Sequence, residues 1–124
     1  MQFVEIVALL AVAQFLFFGV MVGKARGTSG LKAPAMTGDA GFERMSRVHL
    51  NTAEMLIAFF PTLYVAAQHG APLLVAAVGA MFLVGRHIYW RSYVKDPSTR
   101  TLGFALTIGP VFVLMLMGLV GAVL

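Results

Sequence analysis

The chain has 124 residues, 60% apolar and only 11% charged, where a water-soluble domain of this size carries about 25% charged residues. That deficit excludes a soluble globular core and places the chain among integral membrane proteins. With no cysteine it has no disulfide, thiolate metal site or thiol nucleophile of its own, and a formal charge of +4 has a simpler use in membrane topology than in binding nucleic acid.

Phe3 to Val22 is an apolar run of about the 20 residues that a bilayer-spanning helix needs. Glu5 stands at its outer edge and Gln14 near its middle. No basic residue precedes the run and no A-x-A-like site follows it, so a helix over about 3–23 is expected rather than a cleaved leader. Gly19 and Gly23 form a G-x-x-x-G pair of the kind that permits close helix packing, although glycine is common in membrane helices anyway. Lys24 to Ala40, KARGTSGLKAPAMTGDA, is rich in Gly, Ser, Thr and Pro and predicts the first loop.

A second helix is expected over about 42–68, with Asp39 suited to cap it. Its first half carries Glu43, Arg44, Arg47, His49, Asn51 and Glu54. An ionisable group near the centre of a bilayer helix costs at least about 2.5–3.5 kcal/mol and normally marks function. Arg44, Arg47, Asn51 and Glu54 follow an i, i+3, i+7, i+10 spacing, which puts them on one helix face. His49 lies roughly 200° round from Arg47. A stripe with one divergent polar side chain points to a site shared between helices or subunits. Pro61 is expected to kink this helix or open its hydrogen bonding.

His69-Gly70-Ala71-Pro72 is a tight turn without Lys or Arg, leading into a third helix over about 73–95 that ends in RHIYWRSYVK. Arg86, Tyr89 and Tyr93 repeat the i, i+3, i+7 spacing. Asp96-Pro97 predicts an N-cap and first-turn proline for a fourth helix over about 97–124, with Arg100 in its first turn and a kink at Pro110. All nine Lys and Arg residues fall around the first and third connections. Loops 24–41 and 94–100 are therefore expected to be cytoplasmic and both termini to face the opposite side.

The fold class expected is all-α: a bundle of four transmembrane helices in one domain. Arg47, Asn51, Glu54, Arg86, Tyr89, Tyr93 and Arg100 are expected to meet at its cytoplasmic mouth, where Arg26 can join them. Ordinary roles compete for each. Lys24 and Arg26 suit interfacial anchoring, Tyr89, Trp90 and Tyr93 an aromatic belt, and the Arg47–Glu54 stripe a structural ion-pair network. Forked guanidinium donors suit carboxylates, Glu54 suits an ammonium, and Asn51 can donate and accept. The complementary ligand is a zwitterionic or multi-carboxylate small molecule. No phosphate loop, nucleophile triad or metal-ligand spacing is present, so no metal is expected.

FERMSRVHLNTAE at Phe42 to Glu54 resembles the signature F-x-R-x-x-R-x-[HQ]-x-N-x-x-E of the MAPEG family, the membrane-associated proteins in eicosanoid and glutathione metabolism. RHIYWRSYVKDPSTR at Arg86 to Arg100 is similar to R-x-x-Y-x-x-x-Y plus a further Arg in its leukotriene C4 synthase and microsomal glutathione transferase branch. The resemblance implies a homotrimer in the lipid bilayer, with glutathione as co-substrate between subunits. It implies glutathione contacts at Arg26, Arg47, His49 (from the neighbouring subunit), Asn51, Glu54, Tyr89 and Tyr93, with Arg86 lining or bracing the site. Arg100 matches the arginine beside the glutathione sulfur and is the expected catalytic residue. A thiol with a pKa near 8.5 is only about 3% thiolate at pH 7, and lowering that pKa to roughly 6.5 takes about 2.7 kcal/mol. The thiolate would conjugate a hydrophobic electrophile or reduce a lipid hydroperoxide.

Two departures stand out. The family often has a proline three or four residues after the Glu, where this chain has Ile57 and Ala58, and Tyr89 replaces the histidine of the prostaglandin E synthase branch. The rival readings are a small four-helix multidrug transporter and a non-catalytic membrane subunit. One-sided charge argues against the dual topology of the former.

Overall fold

A computed structural model describes residues 1–124. Four helices, α1 (Gln2–Ser29), α2 (Ala40–His69), α3 (Pro72–Lys95) and α4 (Thr101–Val123), account for most of the chain, with a single 3-10 turn at Pro97–Thr99. All four are long and apolar enough to cross a membrane. Large apolar side chains such as Leu9, Val20, Ile57, Leu73 and Leu116 project outward. That surface suits lipid, where backbone polar groups must be satisfied within each helix.

Two helix ends differ from expectation. α1 continues past Val22 to Ser29, so Lys24 and Arg26 ride on its last turns instead of lying in a loop. The polar composition there marks departure from the apolar zone, not the end of the helix. The end comes at Gly30, which adopts φ 79° and donates its N–H to the Arg26 carbonyl, a left-handed cap that glycine takes without steric cost. At the other boundary, Asp96 caps the 3-10 turn and not α4. Its Oδ1 accepts from the Ser98 N–H at 3.1 Å and the Ser98 hydroxyl at 2.9 Å. α4 starts about a turn later, behind Arg100. The expected cap of α2 is present, with Asp39 Oδ2 accepting the Phe42 N–H at 2.9 Å. Helical structure continues through both Pro61 and Pro110.

α1 and α4 each pack on α2 and α3 but hardly on each other, so α2 and α3 form the centre of the bundle. The interior is stratified. A large apolar cluster fills the end near the termini, with Phe59 and Phe82 stacked at 3.9 Å between centroids. A smaller one, Phe18, Met45, Val48 and Tyr89, lies toward the basic end. Between them each helix contributes a polar side chain at similar depth: Gln14, Asn51 with Thr52, Arg86 and Thr107.

The α3–α4 seam is set by two glycines. A Cβ on Gly85 would come within 2.5 Å of the Leu106 carbonyl carbon, and one on Gly103 would collide with the Tyr89 backbone. Only bare backbone allows this approach, in keeping with small residues at membrane helix interfaces. The G-x-x-x-G pair singled out in α1 plays no comparable part: Gly19 faces His49 across the α1–α2 seam, and Gly23 faces open space.

Candidate functional site

Arg86 is the largest fully buried side chain of the protein. Its Nη1 donates to Asn51 Oδ1 at 2.9 Å and to Thr107 Oγ1 at 3.4 Å. Thr107 in turn donates its hydroxyl proton to the Gly103 carbonyl at 2.8 Å. Because a guanidinium can only donate, Asn51 must present its amide oxygen to Arg86, which leaves the amide N–H groups as what Asn51 can offer elsewhere. Nε and Nη2 of Arg86 have no partner within the chain. A cation this deep without a carboxylate is costly. The bundle tolerates it by giving the charge hydrogen-bonding oxygens and the face of an aromatic ring, with the Tyr89 centroid 4.3 Å from Cζ.

Tyr89 carries the network toward the surface. Its ring stacks on Tyr93 at 5.4 Å and 16°. Its hydroxyl sits in the combined field of Arg86, Arg47 and Arg100, with Tyr93 also nearby. Arg47 and Tyr93 line an open cavity of about 560 Å³ at the basic end, together with Arg44, Glu43, Asp39 and Gly38. A polar opening with Tyr93 in its wall and the guanidinium groups of Arg44 and Arg47 beside the carboxylates of Asp39 and Glu43 can hold a ligand that carries both carboxylate and ammonium groups.

The expected residues divide into three groups. Asn51, Arg86 and Tyr89 are buried together inside the bundle. Arg47, Glu54 and Arg100 are exposed, with Tyr93 half-buried between the two groups. Arg100 donates to its own Pro97 carbonyl at 3.1 Å, while Glu54 lies outside the cavity lining. Asn51, Arg86 and Tyr89 thus lie inside the bundle, while Arg47, Glu54 and Arg100 stand at its surface. An i, i+3, i+7 stripe is wide enough to straddle the bundle edge, so Asn51 points in while Arg47 and Glu54 stay out. Arg26 and His49 form the third group, on the opposite side of α2. Arg26 donates to the Ala35 carbonyl at 2.8 Å and lies 4.5 Å over the Phe42 ring. His49 stacks on Phe15 at 4.5 Å.

Arg44 turns out to be structural. It reaches across to the carbonyls of Val94 and Lys95 at 3.3 and 3.2 Å, capping the end of α3 with a cation. Trp90, for which an aromatic belt is the competing ordinary role, packs against Phe17 and Phe18 of α1. Thr107 and the pair Gly85/Gly103 were not foreseen. A threonine and scattered glycines in an apolar helix are unremarkable until the facing helix is known. The only available signal is that Gly103 and Thr107 are spaced i, i+4 on one face.

Residues 4–120 match the sequence profile of the MAPEG family. An uncharacterised protein of Synechocystis is 39% identical over 101 residues, 82% of this chain and 74% of that protein. Microsomal glutathione S-transferase 2 of Homo sapiens is 33% identical over 115 residues, covering 93% of this chain and 78% of the relative. Leukotriene C4 synthase of Cavia porcellus is 31% identical over 94 residues, 76% and 63% of the two chains. A profile match over nearly the whole length, on four membrane-crossing helices, makes this multi-pass integral membrane protein a member of the MAPEG family.

Proposed function

We propose that the protein is a glutathione-dependent membrane transferase that holds the glutathione thiol as thiolate for attack on hydrophobic electrophiles arriving through the bilayer. The observation that carries this reading is the continuous path from the open cavity at Arg47 and Tyr93, through Tyr89, to the buried Arg86–Asn51 pair. The names of its relatives, a glutathione transferase and a leukotriene C4 synthase, favour the same ligand. In this reading Arg47 and the Asn51 amide bind the tripeptide's carboxylates and backbone, and Glu54 takes its ammonium. Tyr89 and Tyr93 floor the site, and Arg86 fixes both Asn51 and Tyr89. Arg100 stabilises the thiolate and the charge developing in the transition state. The same thiolate can reduce a lipid hydroperoxide: sulfur attacks the terminal peroxide oxygen, the O–O bond breaks, the alkoxide leaves as the alcohol on taking up a proton, and the glutathione sulfenic acid so formed is converted by a second glutathione to the disulfide and water.

A cyclic homotrimer belongs to the proposal. Arg26 and His49 lie on the other side of α2 from Arg47 and Glu54. One copy therefore cannot bring both sets to one ligand, whereas a head-to-tail contact that closes into a ring can. The basic end is assigned to the cytoplasmic side and both termini to the opposite side by the placement of Lys and Arg.

Detergent-purified protein with glutathione and a chlorinated nitroaromatic acceptor tests the activity. Conjugation above background and saturable glutathione binding by calorimetry are expected. Failure of both contradicts the proposal, and binding without conjugation favours the non-catalytic subunit.

A further inference from the structure

A second cavity, of about 570 Å³, opens at the basic end between the last turns of α1, the start of α2 and the last turns of α3. It meets the cavity at Arg47 and Tyr93 only at Asp39, which lines both. Arg47, Tyr93 and Arg26 do not line it, although Arg26 lies over the ring of Phe42, which does. Its chemistry is sharply divided. Met21, Met45, Trp90 and Val94 form an apolar wall, while Lys24, Arg91 and Lys95 stand around the rim, all three exposed. Arg91 is drawn over the Trp90 ring at 5.3 Å, which keeps its charge beside the opening. The one carboxylate in the lining, Asp39, is committed to capping the Phe42 N–H at the start of α2.

We propose that this cavity is a binding site for an anionic phospholipid of the leaflet at the basic end, with its phosphate among Lys24, Arg91 and Lys95 and its upper acyl chain along Met21, Met45 and Trp90. Charge complementarity commits the site to this occupant. Three cations with no paired carboxylate at the rim favour an anionic over a zwitterionic headgroup, and a basic pocket between membrane helices at the headgroup level is a recognised setting for such lipids. The apolar wall separates the site from one for a free anion, which would gain nothing from Met21 or Met45. The position among three helix ends also gives the lipid a structural effect: an occupied cavity adds to the packing of Trp90 on Phe17 and Phe18 that ties α1 to α3 at this end.

Trp90 is the only tryptophan and serves as the reporter. The full-length protein is placed in phosphatidylcholine nanodiscs containing equal fractions of either phosphatidylglycerol or phosphatidylcholine brominated on the upper acyl chain. The expected result is preferential quenching by brominated phosphatidylglycerol, with a relative affinity of about fivefold or more, the contribution of at least one basic side chain near the membrane surface. The triple variant K24Q/R91Q/K95Q should bring the ratio close to one. Should that variant fail to fold, Lys24→Glu alone should lower the ratio. Equal quenching by the two lipids in the unaltered protein overturns the proposal, as does an unchanged preference in the variants. Reversal of the quenching by millimolar inorganic phosphate also overturns it, because the site would then take a free anion.

Discussion

Arg86 and Asn51 meet at 2.9 Å in the middle of the bundle, and the arginine has no carboxylate to answer its charge. The pair joins α3 to α2, and through Thr107 it reaches α4 as well. A structural ion-pair network would place an acid here. Instead the guanidinium orients an amide and a phenol ring, which is an arrangement suited to positioning groups for a ligand.

Arg86→Met removes this desolvated charge while retaining most of its packing. Lost hydrogen bonds and recovered desolvation roughly cancel, so thermal stability should change by no more than about 1 kcal/mol. Glutathione affinity, by contrast, should fall by about tenfold or more as Asn51 and Tyr89 lose their orientation. Calorimetric binding and thermal unfolding on the same preparation separate the two effects. Strong destabilisation with unaltered binding contradicts the positioning role.

Gly103→Ala places a methyl group against the Tyr89 backbone. Relief requires α4 to move off α3, so a loss of about 1–3 kcal/mol is expected, as for other overpacked interiors. The movement carries Thr107 away from Arg86, and glutathione binding should weaken together with stability. An alanine at Gly23, which faces open space, should leave unfolding within about 0.5 kcal/mol of the parent.

Arg100 begins α4 at the exposed edge of the site. Arg100→Ala should lower kcat by about a hundredfold or more while glutathione affinity falls by less than about fivefold, the pattern of an interaction made chiefly in the transition state. Equal losses in both would make Arg100 a ligand anchor only.

The segment that sets Arg100 is pH-sensitive in a defined direction. The Ser98 hydroxyl and then the Ser98 N–H hold the Asp96 carboxyl below the usual carboxylate range. A depressed folded-state value means that this contribution is fully present above about pH 4, the unfolded carboxylate value, and is lost as pH falls through the depressed value. Amide exchange should show the Ser98 N–H protected equally at pH 7 and pH 5, with protection declining only below about pH 4. Asp96→Ala should remove that protection at every pH.

Much of this architecture was legible in the residues. Four apolar runs and an acid before α2 suffice for the helix count, because hydrophobic length and capping are properties of single segments. The depth of each polar side chain was not. Whether Asn51 or Arg47 faces inward depends on a few tens of degrees of rotation of α2, which packing against α3 and α4 decides. Thr107 and Gly103 matter only through the opposite face of α3, and nothing in α4 itself announces that. The end of α1 was misplaced because KARGTS looks like a loop by composition, whereas the backbone requirement that stops a helix falls at Gly30.

The most direct test of the proposed activity is an ultraviolet difference titration of the purified protein with glutathione at pH 7, following the absorbance of the thiolate. Most of the bound glutathione should appear as thiolate, against about 3% for the free thiol, and Arg100→Ala should abolish the signal while binding persists. Saturable glutathione binding with no thiolate absorbance would contradict activation at this site.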